Sequence, residues 1–143
     1  MKTIHIIVIQ GVDEKNQLEE FTWDLYPLVD SIKLLHLDDN GLPKKGTAIR
    51  AGMVVVGKTG RGSRFDPKHM PTSLELHGLP REELASRYVN HRTDTSHYAT
   101  RETEGIVESA CFETVDNKLC AVVEVTPRPS HQNVITAAAE SLP

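Results

Sequence analysis

Between Gly105 and Thr126 two runs rich in strand-forming residues flank Asp116-Asn117, a dipeptide suited to the left-handed backbone of a two-residue hairpin turn. With those two residues as the turn, Phe112 faces Ala121, Ala110 faces Val123 and Thr114 faces Leu119. One face then carries Ile106, Ala110, Phe112, Leu119, Ala121, Val123 and Val125, and the other carries Val107, Cys111, Val115 and Val122. Apolar residues on both faces suit the centre of a closed or covered sheet better than a free-standing hairpin. A β-rich fold is therefore expected. In the same register Cys111 faces Val122 and Cys120 faces Glu113, so the two cysteines are diagonal neighbours, with packing as the default reading.

The remaining chain is read around this hairpin. Thr3 to Ile9 is a short β-branched strand, and Ile32 to Leu37 and Ile49 to Val56 read as two more, the former closed by the turn residues Asp38 to Gly41. Leu18 to Val29 is ambiguous, because Pro27 would end any helix near Tyr26. Gly57 to Pro71, with three glycines and two prolines, reads as an internal loop. Pro80 to Val89 predicts a short helix that delivers Asn90-His91, Arg92 to Glu104 a polar loop, and Gln132 to Ser141 a final Ala-rich helix. The fold class expected is mainly β with a few short helices (α+β), built on an antiparallel sheet or small barrel, and residues 1–143 form a single domain.

Composition narrows the function classes. With 38% hydrophobic residues and 143 positions, one core is affordable and two are not. Sixteen basic residues against twenty acidic ones leave a formal charge of −4, which gives no electrostatic reason to expect a nucleic-acid-coating protein, although a local basic patch is compatible with it. No apolar run approaches the length of a membrane span, and the N-terminus lacks the pattern of a secretory leader. Two cysteines cannot make a four-ligand zinc site, and the seven histidines show no H-E-x-x-H spacing. Gly52 to Thr59 matches the phosphate-loop pattern G-x-x-x-x-G-K-[ST], but Met53-Val54-Val55-Val56 is strand material and no helix signal follows Lys58-Thr59, so the match reads as accidental. The basic run Lys58, Arg61, Arg64 and Lys68 has only Phe65 for stacking and reads as a solvated loop.

The order of several pieces carries more. Arg64-Phe65-Asp66-Pro67-Lys68-His69-Met70 follows a strand ending at Gly57, Tyr88-Val89-Asn90-His91-Arg92 follows a short helix, and Gly105-Ile106-Val107-Glu108 opens the hairpin that returns as Leu119 to Pro127. This order resembles the prohead, or capsid-maturation, serine proteases of tailed phages, over Ile49 to Pro143, with Met1 to Lys45 outside the resemblance. The resemblance implies a barrel related to the herpesvirus assembly proteases and a serine endopeptidase trimming viral scaffold and capsid proteins. It implies His91 as general base and Asp66 as the group that orients it. It also implies no cofactor, no metal, no nucleic acid and no membrane, a location in the host cytoplasm within the assembling prohead, and leaves a homo-oligomer open. The nucleophile is missing from its expected place, since Ser130 and Ser141 lie in the wrong contexts, so the chain reads as ending before the catalytic serine. The competing reading is a non-enzymatic β-rich phage structural or interaction module, and a weaker third is a metal-assisted hydrolase.

Overall fold

The computed structural model describes residues 2–127, which form three antiparallel sheets with a few short helices. The long hairpin is strands β8 (Gly105–Val115) and β9 (Lys118–Pro127), joined by Asp116 and Asn117, both at positive φ. Its register places Phe112 opposite Ala121, Ala110 opposite Val123 and Thr114 opposite Leu119, as the turn chemistry requires. A bulge at Glu108 alters one expectation. It shifts the register between Val107 and Ser109, so Val107, not Ile106, joins Val123 and Val125 on the buried face.

Strand β1 (Ile4–Ile9) pairs with β9, and the two-residue strand β3 (Ala48–Ile49) pairs with β8, giving the order β1-β9-β8-β3. The alternation of β1 puts Ile6 and Val8 inward, where they pack with Ile49, Val107, Ala121, Val123 and Val125. Strand β4 (Val54–Val56) lies across this core, wholly buried, and pairs with β7 (His97–Tyr98). Val54 reaches a second, smaller cluster with Leu25, Leu34 and Leu37.

The third sheet is β2 (Glu20–Phe21), β5 (Lys58–Phe65) and β6 (Tyr88–Asp94). From its buried root at Lys58, Thr59 and Gly60 the β5–β6 ribbon runs outward to exposed positions beyond Arg61. Two short helices, α1 (Ser73–Gly78) and α2 (Arg81–Ala85), fill the connection at the outer end of the ribbon. Helix α1 starts on a reciprocal cap: the Thr72 hydroxyl accepts the Glu75 amide at 3.2 Å and the Glu75 carboxylate accepts the Thr72 amide at 3.1 Å.

Several expected elements take other forms. Ile32 to Leu37 is not a strand but a 3-10 turn over Ser31–Leu34, because Asp30 accepts the Ile32 amide and starts the turn; Leu34 and Leu37, three apart, are buried while Ile32 and Leu35 face solvent. Ile49 to Val56 is two strands, not one: the chain turns at Gly52, whose φ of 89° suits glycine, and the two halves join different sheets. Gly57 to Pro71 is not a loop but contains β5. Its glycines mark close approaches, since a β-carbon on Gly62 would stand 2.6 Å from a Glu14 carboxylate oxygen and 3.0 Å from the His91 ring. The helix before His91 stops at Ala85, and Tyr88 to Asp94, expected as a helix end and a loop, pairs with β5 instead. The helix expected over 132–141 lies outside the described residues, as do Ser130 and Ser141.

Candidate nucleic-acid interface

The root of the ribbon is fixed by a buried ion pair. Lys58 Nζ donates to Glu19 Oε1 at 2.7 Å and to the Ile9 carbonyl at 3.2 Å, and Glu19 Oε1 also accepts the Gly11 amide at 2.9 Å. Both side chains are about 10% exposed, so these partners stand in for water. Burial alone would raise the Glu19 carboxyl, but the Lys58 hydrogen bond and charge, with the Gly11 amide, hold it below its ordinary range. Burial, and then the same ammonium, lower His97. The lysine of the phosphate-loop pattern thus opens a strand and is spent on a carboxylate inside the fold.

Beyond the root, pairing decides which side chains share a face. Thr59 is opposite Asp94, Arg61 opposite Arg92, Ser63 opposite Asn90, and Phe65 opposite Tyr88. These four rungs lie on one side of the ribbon, because side chains two apart on a strand point the same way. Two arginines directly across a ladder repel each other, and the Asp13 carboxylate, 3.7 Å from the Arg61 guanidinium, offsets part of that repulsion. Farther out, the Phe65 and Tyr88 rings stack with centroids 4.6 Å apart and planes at 20°. Arg61, Ser63, Asn90, Arg92 and Tyr88 are exposed, so the face offers two guanidinium groups, two hydrogen-bonding side chains and an accessible ring within three rungs.

A cleft of about 310 Å³ lies at the arginine rung, between Asp13, Leu18, Glu20, Thr59, Gly60, Arg61 and Arg92. The acids there are partly committed. Asp13 sits 3.7 Å from the Arg61 guanidinium and accepts the amides of Lys15, Gln17 and Arg61; desolvation pushes its carboxyl up, but these amides and the Arg61 charge bring it below its ordinary range. Arg92 donates to the Asp24 carbonyl, which aims its side chain without neutralising it. Tyr98, pushed up to about 12 by burial and by its hydrogen bond to Asp94, stays a neutral phenol beside the base of the ribbon.

His91 and Asp66, the two residues singled out from the sequence, lie apart along this ribbon. His91 is on β6 opposite Gly62, on the reverse face, beside Glu14, and its buried Nδ1 has no hydrogen-bond partner among the described residues. Asp66 lies past the Phe65–Tyr88 rung, where its carboxylate accepts the Lys68 amide at 3.0 Å and its own amide donates to the Arg87 carbonyl. It caps the turn Pro67–His69. Among the described residues no hydrogen bond joins the two, and no group of three His, Cys, Asp or Glu side chains is placed to hold a metal ion. His36 instead bonds the Val54 carbonyl at 2.6 Å, and His5 lies 3.8 Å from Glu124.

A model of the family RNA polymerase Rpb2, domain 6, matches residues 1–135. The chain belongs to that family. Membership in Rpb2 domain 6 overturns the resemblance to phage prohead proteases, whose separate pieces, an Asn-His dipeptide and a strand hairpin, are common to many β-rich folds. With it go the endopeptidase activity, the scaffold and capsid substrates, the location inside an assembling prohead, and the phage setting of the non-enzymatic alternative. The expectation of no nucleic-acid partner is overturned as well. The roles given to His91 and Asp66 as base and orienting acid rested on the protease resemblance alone. The Rpb2 domain 6 match also takes in Met1 to Lys45, the part that the earlier resemblance left out.

What sequence reasoning missed is the pairing partner. Lys58, Arg61, Arg64 and Lys68 were visible as a basic run, but Arg92, Asn90 and Tyr88 lie about thirty residues away and meet it only through the ladder. One signal was available: Thr59-Gly60-Arg61-Gly62-Ser63 alternates polar residues with glycine, a period of two that belongs to a strand pressed against a neighbour on its glycine side.

Proposed function

We propose that this chain acts as a polymerase-subunit domain that holds nucleic acid along the Arg61–Arg92 face of the β5–β6 ribbon. The two-sheet body supplies a rigid base, and the Lys58–Glu19 lock fixes the direction in which the ribbon leaves it. The observation that carries the reading is the cross-strand arginine rung with Ser63, Asn90 and the Phe65–Tyr88 stack on the same face. Guanidinium groups recognise phosphate in a two-pronged geometry, and an exposed ring accepts any base. Family membership in Rpb2 domain 6 supports the same direction.

The whole chain is acidic, so its affinity for a polyanion comes from local geometry and not from net charge. Fluorescence anisotropy of labelled RNA and DNA oligonucleotides tests this at low salt. The double variant Arg61→Ala, Arg92→Ala is expected to lose about tenfold or more in affinity, with an unchanged circular-dichroism spectrum. Equal affinity of the double variant and the unmodified chain would refute the assignment of this face.

A further inference from the structure

The two arginines of the cross-strand rung have different partners. Arg92 donates to the Asp24 carbonyl, a neutral acceptor, and among the described residues no ion pair joins it to a carboxylate. Its guanidinium keeps its full charge. Arg61 Nε instead lies 3.7 Å from Asp13 Oδ2. That separation is too long for a hydrogen bond, so the guanidinium keeps its donors for another anion while part of its charge is cancelled. Arginines that face each other across one ladder are thus electrically unequal.

The Asp13 carboxylate is also held in place by its own turn. Its side chain is 2% exposed, whereas that of Arg61 is 58% exposed. Oδ1 accepts the Lys15 amide at 2.9 Å and the Gln17 amide at 3.0 Å, and the Asp13 amide donates to the Gln17 carbonyl at 2.7 Å. Oδ2 accepts the Arg61 amide at 3.0 Å, on the side of β5 away from β6. At the base of the turn Glu19 donates its amide to the Gly11 carbonyl at 2.9 Å and accepts the Gly11 amide on its carboxylate. The turn rests on the glycine side of the ribbon, where a β-carbon on Gly60 would stand 3.0 Å from the Asp13 β-carbon. Surface ion pairs are weak largely because two long side chains must be ordered, and here one of the two is ordered already.

We propose that Asp13 sets how tightly the ribbon holds nucleic acid, by partly neutralising Arg61 and leaving Arg92 as the stronger of the two phosphate contacts. The proposal rests on the reading of this face as a nucleic-acid interface. A phosphate that approaches Arg61 from solvent meets a guanidinium whose charge is already shared with a fixed carboxylate behind it. The cleft at the rung is lined by Asp13 together with both arginines, so an anion placed there is within reach of all three charges. Glu20, the other acid of that cleft, is exposed and forms no ion pair with either arginine among the described residues. Glu14 lies elsewhere: a β-carbon on Gly62 would stand 2.6 Å from its carboxylate oxygen, beside His91 on the reverse face. It carries the same charge as Asp13 without sharing Arg61.

Oligonucleotide anisotropy at low salt tests this with single and double variants. Asp13→Asn keeps an acceptor for the turn and is expected to raise affinity by at least about threefold, a gain that shrinks as salt is added. Glu14→Gln makes the same change in net charge and is expected to stay within about twofold of the unmodified chain. Arg92→Ala is expected to lose at least about threefold more affinity than Arg61→Ala. In the Asp13→Asn background the Arg61→Ala loss is expected to grow to within about twofold of the Arg92→Ala loss, a coupling that a disturbed turn would not produce. If Asp13→Asn does not keep the circular-dichroism spectrum of the unmodified chain, the two arginine variants with Asp13 intact decide. Equal losses in those two would overturn the proposal and leave the nucleic-acid reading standing. So would a folded Asp13→Asn with no gain, a gain that persists in full when Arg61→Ala is added, or a gain that Glu14→Gln matches. Binding that neither arginine variant weakens would overturn the nucleic-acid reading, and this proposal with it.

Discussion

Lys58→Met tests the claim that this lysine fastens the ribbon and does not bind phosphate. At 2.7 Å from Glu19, the gross attraction is about 6 kcal/mol at an effective dielectric constant of about 20. Desolvation of two groups about 10% exposed offsets most of that in the intact pair. Methionine removes one partner only. It leaves the Glu19 carboxylate with the Gly11 amide and the Ile9 carbonyl without its donor, so the expected loss at pH 7 is about 3 kcal/mol. Urea unfolding followed by circular dichroism measures it. The double variant Lys58→Met, Glu19→Leu takes the stranded charge away and is expected to recover about half of the loss.

The same pair sets a pH dependence. In the intact chain the Glu19 carboxyl is depressed on folding, so it contributes stability above the ordinary carboxylate range, and this is lost as pH falls through the depressed folded value. In Lys58→Met burial is no longer opposed by the ammonium, the folded carboxyl rises, and the variant gains relative stability as Glu19 protonates. The difference between the two proteins therefore shrinks from pH 7 to about pH 4. A loss below about 1 kcal/mol at pH 7, or one that stays constant over that range, would refute the reasoning.

Other consequences can be checked separately. Tyr88→Ala removes the exposed ring of the aromatic rung and is expected to weaken single-strand binding by about 1–3 kcal/mol while leaving duplex binding nearly unchanged, as read by oligonucleotide titration. Glu75, held to about 2 by its hydrogen bond from Arg87 and then by the Thr72 amide, is expected to titrate there by NMR; Arg87→Ala moves it back towards the ordinary carboxylate range. The two cysteines are free thiols, Cys111 exposed and Cys120 buried, so a thiol reagent is expected to label one per native chain and both in denaturant.

The parts of the fold that were legible in the sequence are those fixed by local chemistry. Asp116-Asn117 specified the hairpin and its register because a two-residue turn leaves one way to pair the strands. The bulge at Glu108 was not legible, since nothing in Gly105 to Ser109 distinguishes an extra residue from a regular one until β3 packs beside it. Ile32 to Leu37 misled because a six-residue stretch with four apolar side chains fits a strand or a turn of helix equally, and the Asp30 side chain decided between them. The ribbon was hidden for another reason. Glycines that usually mark loops here clear space for Glu14 and His91, and the strand that completes the site follows two helices. A site assembled across so long an excursion shows its charges in the sequence but not their alignment.

The salt dependence of oligonucleotide binding tests the central claim most directly. If Arg61 and Arg92 neutralise phosphates, log K against log salt falls less steeply in Arg61→Ala, Arg92→Ala than in the unmodified chain, by about 0.7 per contact on a single strand or about 0.9 on a duplex. A parallel slope in the two proteins would contradict the placement of nucleic acid on the β5–β6 ribbon.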